Sequence, residues 1–510
     1  MYTYLKKARV ALSVFFMIAI TAAFIFFVNR ESPFFSFFLK LQFVPSLLGV
    51  FSGGLLVFVI LLALTFLFGR VYCSTLCPVG TYQDVVSRIA YYFKTKKKRR
   101  FKFSPVNNIR YIVFGIVVLF VIGGITLPLG LLDPYSNWGR VSNEIISRSE
   151  QLMHNGVSFL FPDTVFYRSY AHFTLGSFLF ALAFLLLVTL MSAFRGRLYC
   201  NTICPVGTLL GLLSRLSLYK PAINRDLCTR CQACVMKCKS QCIDLETQTI
   251  DESRCVGCLD CMVACKNGGI SYLFSYKKVK PTEIETRTSK VSQERRSALI
   301  AIGLLGTAMA TKAMNLGPLM KTKPKPSGIM PPCAADSDHF KRNCTACHAC
   351  IAACPNNIIK PATNEYGLDG VLLPVLSFKN HFCSYECNEC ALVCPNDALM
   401  PLLLEEKQVT AVGKVNFFQD RCIVKTDGTD CGACDEHCPT KAITMVPFGN
   451  DGLYIPKVNG SLCIGCGACE YICPAIPQKA MVVQGLPKQV KAKKPSLDKQ
   501  EKIEVDDFGF

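Results

Sequence analysis

The sequence predicts an α-helical membrane domain followed by α+β modules built from repeated βαβ units. Two observations predict this. The apolar excess of a chain that is 51% hydrophobic lies in its first 200 residues. Most of its 30 cysteines recur in an x2-x2-x3 rhythm, largely in the less greasy remainder. At 510 residues the chain has room for several domains.

The membrane domain is predicted over residues 1–220. Four apolar spans, about Val10–Val28, Pro45–Phe68, Ile109–Leu132 and Phe173–Phe194, each approach the ~20 residues a bilayer demands. Lys6, Lys7 and Arg9 precede the first, the basic run Lys94–Arg100 follows the second, and Arg195 and Arg197 follow the fourth. By the positive-inside rule these flanks are cytoplasmic, so residues 133–170 face outward. They also account for much of the net charge of +20 without nucleic acid as a partner. No small-residue cleavage site follows the first span, so it reads as an anchor rather than a cleaved signal.

Each four-cysteine motif offers three thiolates from one tight loop and a fourth to a distant partner, the arrangement of a 4Fe–4S ferredoxin. The regular motifs are Cys228/Cys231/Cys234/Cys238, Cys255/Cys258/Cys261/Cys265, Cys344/Cys347/Cys350/Cys354 and Cys463/Cys466/Cys469/Cys473. Two variants are Cys383/Cys387/Cys390/Cys394 and Cys422/Cys431/Cys434/Cys438. Six motifs imply six 4Fe–4S clusters. A disulfide scaffold is excluded by the regular spacing and by Pro355, Pro395, Pro439 and Pro474, which follow fourth cysteines. Domains this small have little apolar core, so ligation should supply much of their stability.

Residues 221–275 form a two-cluster ferredoxin module, cytoplasmic because it follows the fourth span directly. Cross-ligation is expected: Cys228, Cys231, Cys234 and Cys265 for one cluster, Cys255, Cys258, Cys261 and Cys238 for the other. Lys239 and Lys266 replace the usual proline, and a cation there should raise a cluster's potential. Cys242 is extra, either a buried thiol or an alternative ligand. Residues 276–297 read as a linker ending in the pair Arg295-Arg296, and 298–320 as a fifth hydrophobic segment. A twin arginine before a mild apolar run suggests export of a folded, cofactor-loaded domain. Residues 333–485 then form a four-cluster module on the periplasmic side, with Cys333 left over, and 486–510 a disordered, lysine-rich tail.

Two further motifs adjoin the membrane. Cys73-Ser-Thr-Leu-Cys77-Pro-Val-Gly follows the second span and Cys200-Asn-Thr-Ile-Cys204-Pro-Val-Gly the fourth, each after an Arg-x-Tyr pattern at Arg70 and Arg197. A pseudo-two-fold could gather all four thiols as metal or cluster ligands or as redox-active dithiols; packing at helix ends is the bland alternative. The outward segment Asp133-Pro-Tyr135-Ser-Asn-Trp138-Gly-Arg140 offers Asp133, Tyr135 and Arg140 as a polar mouth for a quinol headgroup, with Asp133 as proton acceptor. Its bland reading is a capped turn with an aromatic anchor. Of six histidines only His172 lies near a span, which argues against membrane haem. No glycine-rich dinucleotide motif follows a strand pattern.

The first 275 residues, with both Cys-x3-Cys-Pro repeats and the Asp-Pro-Tyr-Ser-Asn-Trp-Gly-Arg segment, resemble the NapH/NosR/CcoG group of membrane polyferredoxins. Residues 290–485, with Arg295-Arg296, Met330-Pro331-Pro332 and an expanded third motif, resemble the MauM/NapG group. The resemblance implies a fused quinol-dehydrogenase module of the inner membrane. It would pass electrons from menaquinol to a periplasmic redox protein or reductase. Likeness to four-cluster subunits of membrane oxidoreductases further implies that the first motif pairs with the fourth and the second with the third. Cys473 would then complete Cys344/Cys347/Cys350, and Cys354 would complete Cys463/Cys466/Cys469. Cys438 would complete Cys383/Cys387/Cys390, and Cys394 would complete Cys422/Cys431/Cys434; sequential pairing is the alternative and would use the same sixteen cysteines. The other functional class is an assembly factor, supplying electrons or reducing a metal while a respiratory metalloenzyme matures. A third reading is a ferredoxin array merely tethered to the membrane, wholly cytoplasmic.

Overall fold

The computed structural model describes residues 1–26, 33–49, 54–93, 101–167, 173–274, 328–449 and 452–494. The basic run 94–100, His172, the linker, the twin arginine and the fifth apolar segment lie outside them.

The helical domain contains α1 (Tyr2–Phe26), α2 (Pro33–Lys40), α3 (Phe43–Leu48), α4 (Gly54–Phe68), α5 (Tyr72–Thr75), α6 (Pro78–Phe93), α7 (Ile109–Ile122), α8 (Leu127–Leu132) and α9 (Pro134–Val141). A π-helical turn, Ser142–Ser147, leads into α10 (Arg148–Leu160), and α11 (Leu175–Arg195), α12 (Leu198–Thr202) and α13 (Pro205–Ser214) follow. Among the described residues two helices, Tyr2–Ile25 and Leu175–Arg195, are long and apolar enough to cross a membrane. The second and third expected spans are interrupted. The third ends at Ile122, where Gly123 and a left-handed Gly124 break the ladder before Pro128 restarts it as α8. Residues 133–167 are not a loop: much of this segment is α9, the π turn and α10, and every residue of α9 is buried.

The two Cys-x3-Cys-Pro repeats fold alike. In each, a short helix carries the first cysteine, and Leu76 N and Ile203 N both donate to the tyrosine carbonyl four residues back, at 3.0 Å. Proline then opens the next helix, at its first position, where no amide donor is needed. Gly80 and Gly207 each face the carbonyl of the repeat's first cysteine so closely that a Cβ would overlap it.

The first cluster module starts at β1 (Tyr219–Ile223), followed by α14 (Ala233–Lys237), β2 (Ile243–Asp244), β3 (Thr249–Ile250), α15 (Asp260–Ala264) and β4 (Ile270–Phe274). β1 pairs antiparallel with β4 and β2 with β3. The second module pairs β5 (Ile359–Pro361) with β6 (Pro374–Leu376), β7 (Thr410–Phe417) with β10 (Met481–Lys491), and β8 (Ile443–Phe448) with β9 (Leu453–Val458). Residues 486–491, expected to be tail, complete β10: past a bulge, Val490 pairs with Ala411 and Lys491 with Thr410. Ladder pairing overrides the lysine-rich composition there.

The modules pack at opposite ends of α1. Near its start, Lys6 pairs with Asp260 at 2.7 Å, and the Tyr2 hydroxyl accepts from Tyr272 N at 3.3 Å. Near its end, Phe24 packs on Gly139, which also touches the Cys347 carbonyl. At 1.5 Å per residue, Tyr2 to Phe24 is about 33 Å. One buried core runs from the helical domain into the second module, whereas the first module has its own small core of Cys234, Cys238, Cys242, Ile243, Met262 and Ile270.

The close approach at the repeats generates a prediction. Gly80→Ala or Gly207→Ala should each destabilise the fold by about 1–3 kcal/mol through overpacking, read as a lowered Tm. Gly156→Ala, in α10 with nothing within 4 Å of the added Cβ, should not.

Candidate iron–sulfur relay

The four regular motifs share one backbone device. The residues on either side of the second cysteine take positive φ: Arg230 and Gln232, Gly257 and Leu259, Ala346 and His348, Gly465 and Gly467. This conformation is unfavourable for non-glycine residues and persists only where the surroundings enforce it. It curls the loop, and Ala346 N donates to Cys344 Sγ at 3.4 Å. The two expanded motifs lack this device. The residues flanking Cys387 and Cys431 keep negative φ, and the longer gap before each lets the loop close without the strained pair. Fourth cysteines have a counterpart three residues on, at Gln241, Gly268, Asn357, Asp397 and Lys441. There Gly269 N donates to Cys265 Sγ and Ala442 N to Cys438 Sγ, both at 3.2 Å, and Leu399 N to Cys394 Sγ at 3.4 Å. Amide donors aimed at sulfur stabilise thiolates and tune a cluster held by them, so these residues fit the group. Among the described residues no three or more His, Cys, Asp or Glu converge tightly enough for a single metal ion. A polynuclear core, whose sulfurs stand farther apart, suits the motifs.

Which cysteines meet is readable from which charges couple. Cys234 neighbours Cys228 and Cys231 of its own loop. Cys238 lies beside Cys258 and Cys261, as the cross-ligation pattern expects. Cys242, 2% exposed, sits 3.6 Å from Cys238 and holds that thiol down at about 7 by hydrogen bonding. Lys239 is clamped between Asp84 at 3.4 Å and Asp260 at 3.1 Å, which offsets its field.

In the second module the expected pairing is overturned. Cys394 neighbours Cys344, Cys347 and Cys350, where Cys473 was expected. The half-buried Cys387 lies with Cys383 and Cys390, and the fourth member of that quartet is Cys354 rather than Cys438. The half-buried Cys431 lies with Cys422 and Cys434, and the fourth member there is Cys473 rather than Cys394. Cys438 neighbours Cys466 and Cys469, where Cys354 was expected. Motifs therefore pair in sequence order, because each fourth cysteine leaves its short helix toward the adjacent motif. The quartets also form a line. Cys350 adjoins Cys390, Cys383 N donates to Cys466 O at 2.9 Å, and Cys469 adjoins Cys434. The order is the Cys344 quartet, the Cys383 quartet, the Cys463 quartet and the Cys422 quartet. Burial pushes the Cys347 thiol up to about 12 and the Cys354 thiol up to about 11, so ligation there displaces protons.

The Cys-x3-Cys-Pro thiols come together as a third kind of cluster. Cys73, Cys77, Cys200 and Cys204 are all buried and none is in a disulfide. Cys204 lies within electrostatic reach of the other three. Gln83 Nε2 donates to Cys200 Sγ at 3.0 Å, and Gly207 N to Cys204 Sγ at 3.2 Å. The arginines cross over: Arg70 donates to the Cys200 carbonyl at 3.1 Å and Arg197 to the Cys73 carbonyl.

Asp133 caps α9, accepting from Ser136 N at 2.8 Å and Ser136 Oγ at 2.7 Å. Tyr135 turns its hydroxyl toward Cys347. Arg140 donates through Nε to Ala346 O at 2.9 Å and also reaches Gly130 O. All three are 1% exposed. Arg140 alone of them lines a narrow groove, wide enough for little more than a water molecule, whose walls include Thr126, Leu127, Leu131 and Cys344. Glu144, in the π turn, stands 3.8 Å from the buried His348 beside the same quartet. Sequence reading missed this carboxylate; the scarcity of acidic residues in a largely apolar domain was its signal.

Comparison with known proteins agrees with this geometry. A 4Fe-4S binding domain matches residues 52–102 and 177–225, and 4Fe-4S dicluster domains match 343–399 and 429–476. The ferredoxin-type protein NapF of Escherichia coli K12 is 35% identical over 148 residues, 81% of its length and 29% of this chain. The chain belongs to the ferredoxin-type iron–sulfur proteins. Ferredoxin-type NapG of E. coli is 29% identical over 84% of its own length and 37% of this chain. The methylamine utilization ferredoxin-type protein MauM of Methylobacillus flagellatus is 30% identical over 68% of its length and 30% of this chain. No solved structure matches. Each dicluster match in this ferredoxin-type protein encloses the three loop cysteines of one motif and a neighbouring fourth: Cys344/Cys347/Cys350 with Cys394, and Cys463/Cys466/Cys469 with Cys438. That agrees with sequential pairing.

Pairing is testable by iron count. Cys344→Ala with Cys394→Ala should remove one cluster's iron, because both serve one quartet. Cys344→Ala with Cys473→Ala should remove two; equal losses from both double variants contradict the assignment.

Proposed function

We propose that this ferredoxin-type protein is a membrane-bound iron–sulfur relay passing electrons between the menaquinol pool and a periplasmic redox protein or reductase. In this reading six 4Fe–4S clusters are held by the 24 motif cysteines, the first module is cytoplasmic and the second periplasmic. The observation that carries it is the separation of the modules along α1, about 33 Å at helical rise, which matches the ~30 Å of a bilayer's hydrocarbon. The polar flanks fit: Lys6 and Arg9 belong to the end that meets the first module.

Quinol would enter at the cleft between α8 and the Cys344 loop. Leu127, Leu131, Leu372 and Leu373 would face the ring, the fixed charge of Arg140 suits an anionic headgroup oxygen, and the groove would have to widen beyond a single water's width to admit them. Oxidising a quinol releases two electrons and two protons. The Cys344 quartet is the neighbouring electron acceptor, and Glu144 with His348 is the buried acid–base pair beside it.

Anaerobic mixing with a menaquinol analogue should bleach the cluster absorbance at a catalytic rate. Leu131→Trp, which narrows the cleft, should slow this roughly tenfold while leaving dithionite reduction unchanged. No bleaching by quinol, with copper reduction instead, favours the maturation role. A topology reporter fused after Phe510 should register outside the cytoplasm; a cytoplasmic signal defeats the sidedness.

A further inference from the structure

We propose that Cys73, Cys77, Cys200 and Cys204 jointly ligate a further iron–sulfur cluster, which links the two ferredoxin modules through the helical domain. The proposal extends the relay reading above, but its ligand set stands on separate observations.

Charge is the first. Arg70 is 0% exposed and has no carboxylate partner among the described residues. Its guanidinium donates to Asn201 Oδ1 and Ser253 O, each at 2.9 Å, and to Cys200 O, and Nη2 faces Cys73 Sγ at 3.9 Å. Asp84 serves Arg197 at 2.9 Å, Arg9 at 3.7 Å and Lys239 at 3.4 Å. Asp260 shares Lys239 and also serves Lys6, so two carboxylates face four cations, and Arg70 adds a fifth with none. A buried cation without an anion is among the costliest things a fold can hold. Four protonated thiols leave that charge standing. Four thiolates around an iron–sulfur core carry net negative charge and balance it. The same pairing recurs at the Cys344 quartet, where buried Arg140 donates to the backbone carbonyls of Gly130, Thr345 and Ala346.

Sulfur environment is the second. Gly207 N meets Cys204 Sγ at the 3.2 Å found for Cys265 and Cys438 in the ferredoxin modules. Like those motif quartets, the four thiols do not converge on one point as a single ion requires. The match to a 4Fe-4S binding domain falls twice, once over each Cys-x3-Cys-Pro pair.

Position is the third. On one side Arg197 lies within reach of both Cys200 and Cys258 of the first module. On the other, Tyr199 neighbours Cys204 and Cys200, and Arg140 neighbours both Tyr199 and Cys347 of the second module. The four thiols are thus the sulfur station between the two modules. Each transfer there moves one electron between neighbouring centres, one oxidised and the next reduced, with no bond made and no proton required. Cys242 and Cys333 then remain as the only cysteines outside a ligand set.

The test is iron and acid-labile sulfide per chain, with native mass spectrometry, on anaerobically purified full-length protein. Wild type should carry one cluster more than the six motifs account for. Cys77→Ser with Cys204→Ser should lose one cluster and keep the other six. Equal iron in wild type and variant, a wild-type mass with six clusters, or a Cys73–Cys77 disulfide in oxidised holoprotein overturns the assignment. Should the double variant not accumulate, Arg70→Gln keeps the question open to measurement. It should lower the midpoint potential of a single centre and leave the rest in place; unmoved potentials overturn the proposal. Iron content reads this site whether or not quinol proves to be the donor, so the two readings fail separately.

Discussion

Four arginines hold this molecule together. Among the described residues Arg70, Arg110, Arg140 and Arg197 are the four largest side chains with less than 2% exposure. Each donates to at least one backbone carbonyl in or beside a cysteine-bearing segment, and Arg197 also pairs with Asp84 at 2.9 Å. Arg70 and Arg110 both reach Ser253 O, two residues before Cys255. Arg140 reaches Ala346 O, between Cys344 and Cys347. Arg197 reaches Cys73 O. Burying such a charge costs several kcal/mol. A unit anion ~5 Å away at an effective permittivity of ~20 returns about 3 kcal/mol. The hydrogen bonds alone are therefore insufficient, and negatively charged centres beside the arginines make their burial tolerable. Docking of the modules and loading of the clusters become one energetic event.

That coupling matters because the modules have little else. The first module's own buried core is half cysteine, and the outermost, around Cys422 and Cys473, adds only Val424, Ala475 and Ala480. At ~25 cal/mol per Å² such cores cannot offset the entropy of ordering their loops, including residues held in left-handed conformations. Ligation must supply the difference. The inner half of the second module differs, since its core is continuous with that of the helical domain. Dependence on iron should therefore be steepest at the two extremities and shallowest where module and helices merge.

The sequence displayed the ligand loops, the duplicated Cys-x3-Cys-Pro hairpins and the crossing of Cys238 to the Cys255 motif, because these depend on local spacing. It did not display the partner of each motif in the second module. That choice is tertiary, and likeness to larger oxidoreductase subunits pointed the wrong way. The expanded gaps before Cys387 and Cys431 encouraged that likeness, yet they alter only how each loop closes, not which fourth cysteine reaches it. The Arg-x-Tyr pattern before each pair was visible, but nothing local says that Arg70 serves the opposite repeat's Cys200 and Arg197 the opposite Cys73. Asp-Pro-Tyr-Ser-Asn-Trp-Gly-Arg read as an outward polar mouth because three polar groups cluster in it. The fold buries it as α9, where Asp133 is spent on capping and Arg140 on the Cys344 loop. Helix interruption at Gly123-Gly124 was likewise hidden by uninterrupted apolar character, which bilayer-length windows average over.

Exposure along the line of quartets has a direction to it. At one end Cys231 is exposed; at the other, residues 425–430 beside Cys422 are exposed throughout. Between them the Cys-x3-Cys-Pro thiols are fully buried, and the Cys344 quartet has Cys347 and Cys350 buried against the helical domain. Exchange with a soluble partner needs a cluster near the surface, because electron transfer falls steeply with separation. Interior centres gain instead from dry, fixed surroundings, where hydrogen bonds and charge set the potential rather than solvent. A wire with accessible ends and insulated middle stations is what these burials describe. The arginines lie at the insulated stations, where a fixed charge acts through the lowest dielectric and so shifts a potential most.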